Sequence, residues 1–112
     1  MSINEIITAA LVPLGDVVEY EVYTGQDIQY YTFNSSAYGD DFGDDEPGHE
    51  RYLVQVHFFC PLTYKVTPRI AQTKQVLFAA GFTWPSVVDA SDVDARHIVF
   101  ECEYMMGVDV DG

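Results

Sequence analysis

Before Arg51 the chain carries eleven Asp and Glu side chains and not one Lys or Arg. That imbalance restricts the folds open to it, because a packed core cannot hold unpaired carboxylates. The acids of this half must therefore face water, a cation or an electropositive partner. Six of the eleven fall between Tyr38 and Glu50, in a stretch that also holds Gly39, Gly43, Pro47 and Gly48. The same imbalance excludes a protein that grips duplex DNA, since that binding needs Lys and Arg to displace counterions from phosphates.

At 112 residues the chain reads as one domain, 1–112, able to bury roughly two-thirds of its unfolded surface without metals or disulfides. Fifteen Phe and Tyr residues argue against disorder despite a net charge of −13. Cys60 and Cys102 are too few for a disulfide scaffold and lack C-x-x-C spacing. No apolar run reaches the ~20 residues that span a bilayer. The start, MSINE, has no basic segment of the secretory kind, so the expected compartment is the cytoplasm with both thiols reduced.

Ser2-Ile3-Asn4-Glu5 fits a capping box, and Ile3, Ile6, Ile7, Ala10 and Leu11 recur at helical spacing until Pro13 and Gly15 stop the helix. Residues 17–23 then alternate with period two, and residues 28–34 (IQYYTFN) are aromatic and β-branched. With Thr24-Gly25-Gln26-Asp27 between them, the two predict a hairpin. An acidic loop over 35–50 follows. Residues 52–60 (YLVQVHFFC) are apolar on both faces, which predicts a central strand. Thr67-Pro68 predicts a helix start, with Ile70, Thr73, Leu77 and Ala80 facing inward and Gly81 ending it. Residues 82–88 read as a linker, and Asp89, Asp92 and Asp94 as a second acidic loop. Residues 97–105 form the last strand before a frayed tail at 107–112.

The order α-β-β-β-α-β predicts an α+β fold: a four-stranded, mainly antiparallel sheet with two helices packed on one face. The other face is left bare. Tyr31, Phe33, Leu53, Phe59 and Val99 are placed on it, as an apolar patch that self-association would cover.

The residues offer little chemistry. Asp40-Asp41-Phe42-Gly43-Asp44-Asp45-Glu46 is rich in oxygen ligands but does not match the EF-hand spacing, so solvated charge is the simpler reading. Cys60 and Cys102 alternate with apolar neighbours as buried thiols do, and His57 and His97 read as sheet-face or strand-end residues rather than metal ligands. No nucleophile elbow, phosphate loop or dinucleotide fingerprint is present. The expectation is a non-enzyme without a cofactor or metal. Lys65, Arg69 and Lys74, three of the five cations, cluster around the second helix and are placed at a subunit interface, meeting the acidic segment of a neighbouring copy.

The segments "PLG…VEYEVYTGQDIQYYTF", "RYLVQVHFF", "FAAGF" and "RHIVFECEY", in this order around an acidic loop, resemble the tail completion (tail terminator) proteins of the head–tail joining region in long-tailed bacteriophages and prophages. The likeness runs from about Ile3 to Tyr104. It implies a virion protein, assembled in the host cytoplasm, that forms a commonly hexameric ring. Such a ring caps the tail tube, meets the tube protein and the head connector protein, and lets DNA pass without binding it specifically. The resemblance implies no catalytic residues. A channel that must not grip phosphates suits a negative lining, so Asp40, Asp41, Asp44, Asp45 and Glu46 are assigned to the lumen or a ring-face loop. The competing reading is a small acidic DNA mimic that occupies a nucleic-acid-binding host enzyme.

Overall fold

The computed structural model describes residues 2–39 and 49–107. The chain is α+β, with two helices and a five-stranded mixed sheet. Helix α1 (Ile3–Leu11) leads through a 3-10 turn (Val12–Leu14) into β1 (Val17–Tyr20) and β2 (Tyr30–Gly39). Strand β3 (His49–Cys60), helix α2 (Val66–Ala79), β4 (Ser86–Asp89) and β5 (Arg96–Gly107) follow. The spatial order is β1-β2-β3-β5-β4. The long β3 is central, as its two apolar faces predict. Among the described residues no helix is long and apolar enough to cross a membrane.

The capping box forms: Ser2 Oγ accepts from the Glu5 amide at 3.1 Å and Glu5 Oε1 from the Ser2 amide at 2.8 Å. Helix α2 begins two residues earlier than Thr67 as N-cap would set it. Lys65 is the N-cap, without a side-chain cap bond, and buried Val66 opens the helix. Pro68 then falls on the third helical position, whose missing amide costs nothing because helix starts leave it unpaired. The far end is a Schellman turn. The Gly81 amide donates to Phe78 O and the Phe82 amide to Leu77 O, both at 3.1 Å, with Gly81 at φ +109°. Leu77 and Phe82, which flank this turn, are both buried.

Two expectations about the strands fail. Strands β1 and β2 are parallel, not a hairpin. The chain reverses at Glu21 (φ +63°), where the Val22 amide donates to Tyr20 O at 2.7 Å in a γ-turn. This ends β1 at Tyr20, and residues 22–29 carry the chain back so that β2 starts level with β1. The expected linker over 82–88 contains a fifth strand, β4, pairing with the edge of β5. Four residues are too few to display a period, and all four are exposed.

The expected loop over 35–50 is also shorter. Residues 35–39 extend β2, and His49 and Glu50 already belong to β3. Asp40, Asp41, Asp44, Asp45 and Glu46 lie outside the described residues, as does the tail from 108.

Both helices cover one face of the sheet. Ile3, Ile7, Leu11 and Leu77 share a core cluster with Tyr31, Phe33, Val54, Val56, Phe58, Phe100 and Cys102. The placement of Tyr31 and Phe33 on the bare face is therefore corrected: they are 0% and 2% exposed, under the helices. The antiparallel register pairs Tyr31 with Phe58 and Phe33 with Val56, so odd-numbered residues of β2 share a face with even-numbered residues of β3. A one-residue change of phase moves a whole side-chain set across the sheet.

Candidate functional site

The uncovered face carries Tyr30, Thr32 and Asn34 of β2, Leu53, Gln55, His57 and Phe59 of β3, and His97, Val99, Glu101 and Glu103 of β5. Leu53, Phe59 and Val99 thus lie where the sequence reading puts them. Leu53 is 43% exposed, whereas Val99, flanked by His57 and Val88 in the register, is nearly covered.

One end of the face is a ladder of rings. Tyr23 packs on Tyr30 at 4.6 Å between centroids, Tyr30 on Phe59 at 4.9 Å, and Phe59 on the His97 imidazole at 4.2 Å. His97 continues it to His57, whose Nδ1 lies 2.8 Å from His97 Nε2. His57 and His97 are diagonal neighbours, since Phe59 pairs with His97 and His57 with Val99. Burial is the main cause holding both imidazoles below their usual value, and the His97 charge adds to the effect on His57. Glu101 pulls His57, and Asp92 and Asp89 pull His97, the other way.

The other end is polar. A depression of about 540 Å³ is lined by Asn34, Leu53, Gln55, Trp84, Glu101 and Glu103, among others. Gln55 Nε2 donates to Glu101 Oε2 at 2.9 Å, and Arg51 Nη1 lies 3.7 Å from Glu103. That ion pair is largely solvated and adds little to stability. Thr83 clamps the rim: its amide donates to Glu103 O, and its hydroxyl accepts from the Glu103 amide, each at 2.9 Å.

The predicted basic cluster does not assemble as a surface. Arg69 points inward, where its guanidinium forms an ion pair with Asp16 and lies 5.4 Å from the Phe58 ring centroid. Gln29 Nε2 donates to the same Asp16 oxygen at 3.0 Å. Thr73 Oγ1 lies 2.8 Å from the buried Tyr31 phenol, and burial is the main influence on that phenol, raising its pKa against the opposing pull of Thr73 and the nearby guanidinium. Arg69 is therefore a fastener between α2 and the start of β1, and its role at a subunit interface is withdrawn. Lys74 stands 5.5 Å from the Trp84 ring, and Lys65 is the exposed N-cap of α2.

Among the described residues no hydroxyl or thiol hydrogen-bonds the ring of His57 or His97. Both thiols lie under the helices; burial raises the pKa of Cys60 and pushes Cys102 up to about 12. Among the described residues no three His, Cys, Asp or Glu side chains converge. The surface is equipped for contact: stacked rings, amides, two carboxylates and an apolar rim. Sequence reasoning missed the histidine pair and the depression. Each needs the β3–β5 register, and residues 57 and 97 are forty apart.

Known proteins add the fold alone. No family model matches the chain and no curated protein matches it. Eight solved chains match. One of them, which has no functional name, superposes with a TM-score of 0.56 at 13% identity over 97% of each chain.

Proposed function

We propose that the protein is a structural subunit of a phage or prophage virion, closing into a ring at the head-proximal end of the tail tube and joining it to the head connector. The observation that carries this reading is a pair of open sheet edges. Strand β1 pairs with β2 only as far as Phe33, and β4 with β5 only as far as Glu101. Among the described residues, 34–39 of β2 and 104–107 of β5 therefore present outer edges without a strand partner. The two edges lie on opposite sides of one arm, and β2 and β5 run in the same direction because each is antiparallel to β3.

Exposed edges of this kind are pairing templates. Copies related by rotation set the β2 edge of one against the β5 edge of the next, a head-to-tail contact that closes into a ring. Turning the bare face inward sets Glu19, Glu101 and Glu103 around the passage, where carboxylates repel the DNA backbone and let it slide. The acids of 40–48 add to the same field if they reach the lumen. The element order that resembles the tail terminators supports the role independently of these edges.

Sedimentation of the purified protein, alone and mixed with tail tubes assembled without a terminator, tests the reading. A closed oligomer, or saturable binding to tube ends, is expected. A monomer at high concentration that ignores tube ends refutes it. If that monomer instead binds a basic DNA-processing enzyme, the DNA-mimic reading takes its place.

A further inference from the structure

We propose that His57 and His97 form a two-imidazole chelate for a divalent transition ion of the copper(II) or nickel(II) class on the open face of the sheet. His57 Nδ1 and His97 Nε2 face each other at 2.8 Å. Cis ligands at about 2.0 Å from a square-planar ion stand about 2.8 Å apart, whereas tetrahedral zinc spreads them to about 3.3 Å. The nitrogens already have the tetragonal spacing. What the ion requires is a turn of the two rings that brings both lone pairs onto one point in place of the shared proton.

The surroundings favour this. Phe59 lies nearly parallel to both rings, 4.2 Å from His97 and 6.3 Å from His57 between centroids, which keeps the two imidazoles side by side while they turn toward an ion. Asn34 Nδ2 lies 3.5 Å from His57 Nε2, and a flipped amide presents its oxygen there to accept the Nε2 proton of a ligating ring. Both imidazoles stay neutral, and thus able to bind an ion, further into acid than free histidine. Glu101 on one side, and Asp89 and Asp92 on the other, make the local field attractive to a cation. No further His, Cys, Asp or Glu completes the set among the described residues, so the remaining positions fall to water or to a group on a second molecule. The inference stands whether or not the chain is a tail component.

Titration calorimetry of the full chain with Cu²⁺ or Ni²⁺ alone is the test, with Ca²⁺ as a probe for the carboxylates. One strong site is expected, weakened about tenfold or more in His57→Gln and in His97→Gln and unchanged in His49→Gln. The Cu²⁺ spectrum should show hyperfine coupling to two imidazole nitrogens. Circular dichroism of each variant confirms that the fold persists, as expected for replacements at these partly buried, polar positions. Equal Cu²⁺ affinity in the His57→Gln/His97→Gln double variant, or full competition by Ca²⁺, overturns the proposal.

Discussion

The hydrogen-bond chain that ties α2 to the sheet allows a sharp test of how the core is held. Tyr31 and Thr73 are each 0% exposed, and the phenol oxygen lies 2.8 Å from Thr73 Oγ1. The threonine hydroxyl donates onward to Arg69 O at 2.7 Å, so its proton is engaged and the phenol is the donor to it. Tyr31→Phe removes one net hydrogen bond and should cost about 1 kcal/mol. Thr73→Val is isosteric yet leaves the buried phenol without its acceptor, which costs about 2 kcal/mol. The Arg69 carbonyl still keeps its helical amide partner. The double variant replaces both groups by apolar ones of the same shape, leaves no stranded donor, and should cost about 1.5 kcal/mol instead of the additive sum of about 3. Urea unfolding followed by far-ultraviolet circular dichroism reads this directly: with a slope near 2 kcal/mol per molar, Thr73→Val lowers the midpoint by about 1 M. Additive single costs, or a Thr73→Val penalty no larger than that of Tyr31→Phe, would refute the assignment of the phenol as donor.

Gly81→Ala should lower stability by about 1–2 kcal/mol, measured by thermal melting, because φ is +109° and the new methyl meets Tyr104 Cε1 at 3.0 Å. Gly15→Ala, at φ +100° with no atom within 4 Å, should cost less, from backbone strain alone. Between about pH 7 and 8 stability should be level; it should fall as the pH drops below about 6.5, because the unfolded chain takes up protons that the folded His57 and His97 resist, and fall again in alkali, where the unfolded chain releases the thiol protons that buried Cys60 and Cys102 retain. The double Gln variant should flatten that slope between about pH 6.5 and 5, before the hydrogen-bonded carboxylates Glu5, Asp89 and Asp92 titrate. Added salt should strengthen self-association in sedimentation rather than weaken it.

The parts of this fold legible in the sequence are those whose signal is local. The α1 capping box, the inward stripe of α2 and its Gly81 stop each lie within a few residues. The apolar run of β3 marks a central strand without reference to its partners. What escaped depends on partners far along the chain. Whether Tyr31 or Tyr30 faces the helices is decided by pairing with Phe58, not by the local pattern, because 28–34 is aromatic on both faces. The parallel β1–β2 pair is set by one reversed residue, Glu21, in a conformation that glutamate rarely takes. Arg69 looked like surface charge because its spacing from Lys65 is that of any wet helix. Its partner Asp16 is fifty-three residues away.

Four of the five cations in the chain already have work within it. Arg69 is paired with Asp16, Arg51 lies near Glu103, Arg96 Nη2 donates to Leu62 O at 3.3 Å, and Lys74 stands over Trp84. A second copy therefore brings eighteen carboxylates and few uncommitted charges of the opposite sign. With Arg69 committed to Asp16, attraction between the acidic segment of one copy and the helix of the next, which the sequence suggested, would rest on Lys65 and Lys74. Self-association has to overcome repulsion between bodies of charge −13 each, and the groups suited to that are backbone edges and apolar surface, which salt does not screen. Repulsion of this size also acts against wrong associations. In the proposed ring, strand pairing along 34–39 and 104–107 is the contact that would have to overcome it, and the charge and the open edges would then act together: one keeps copies apart until the other is aligned.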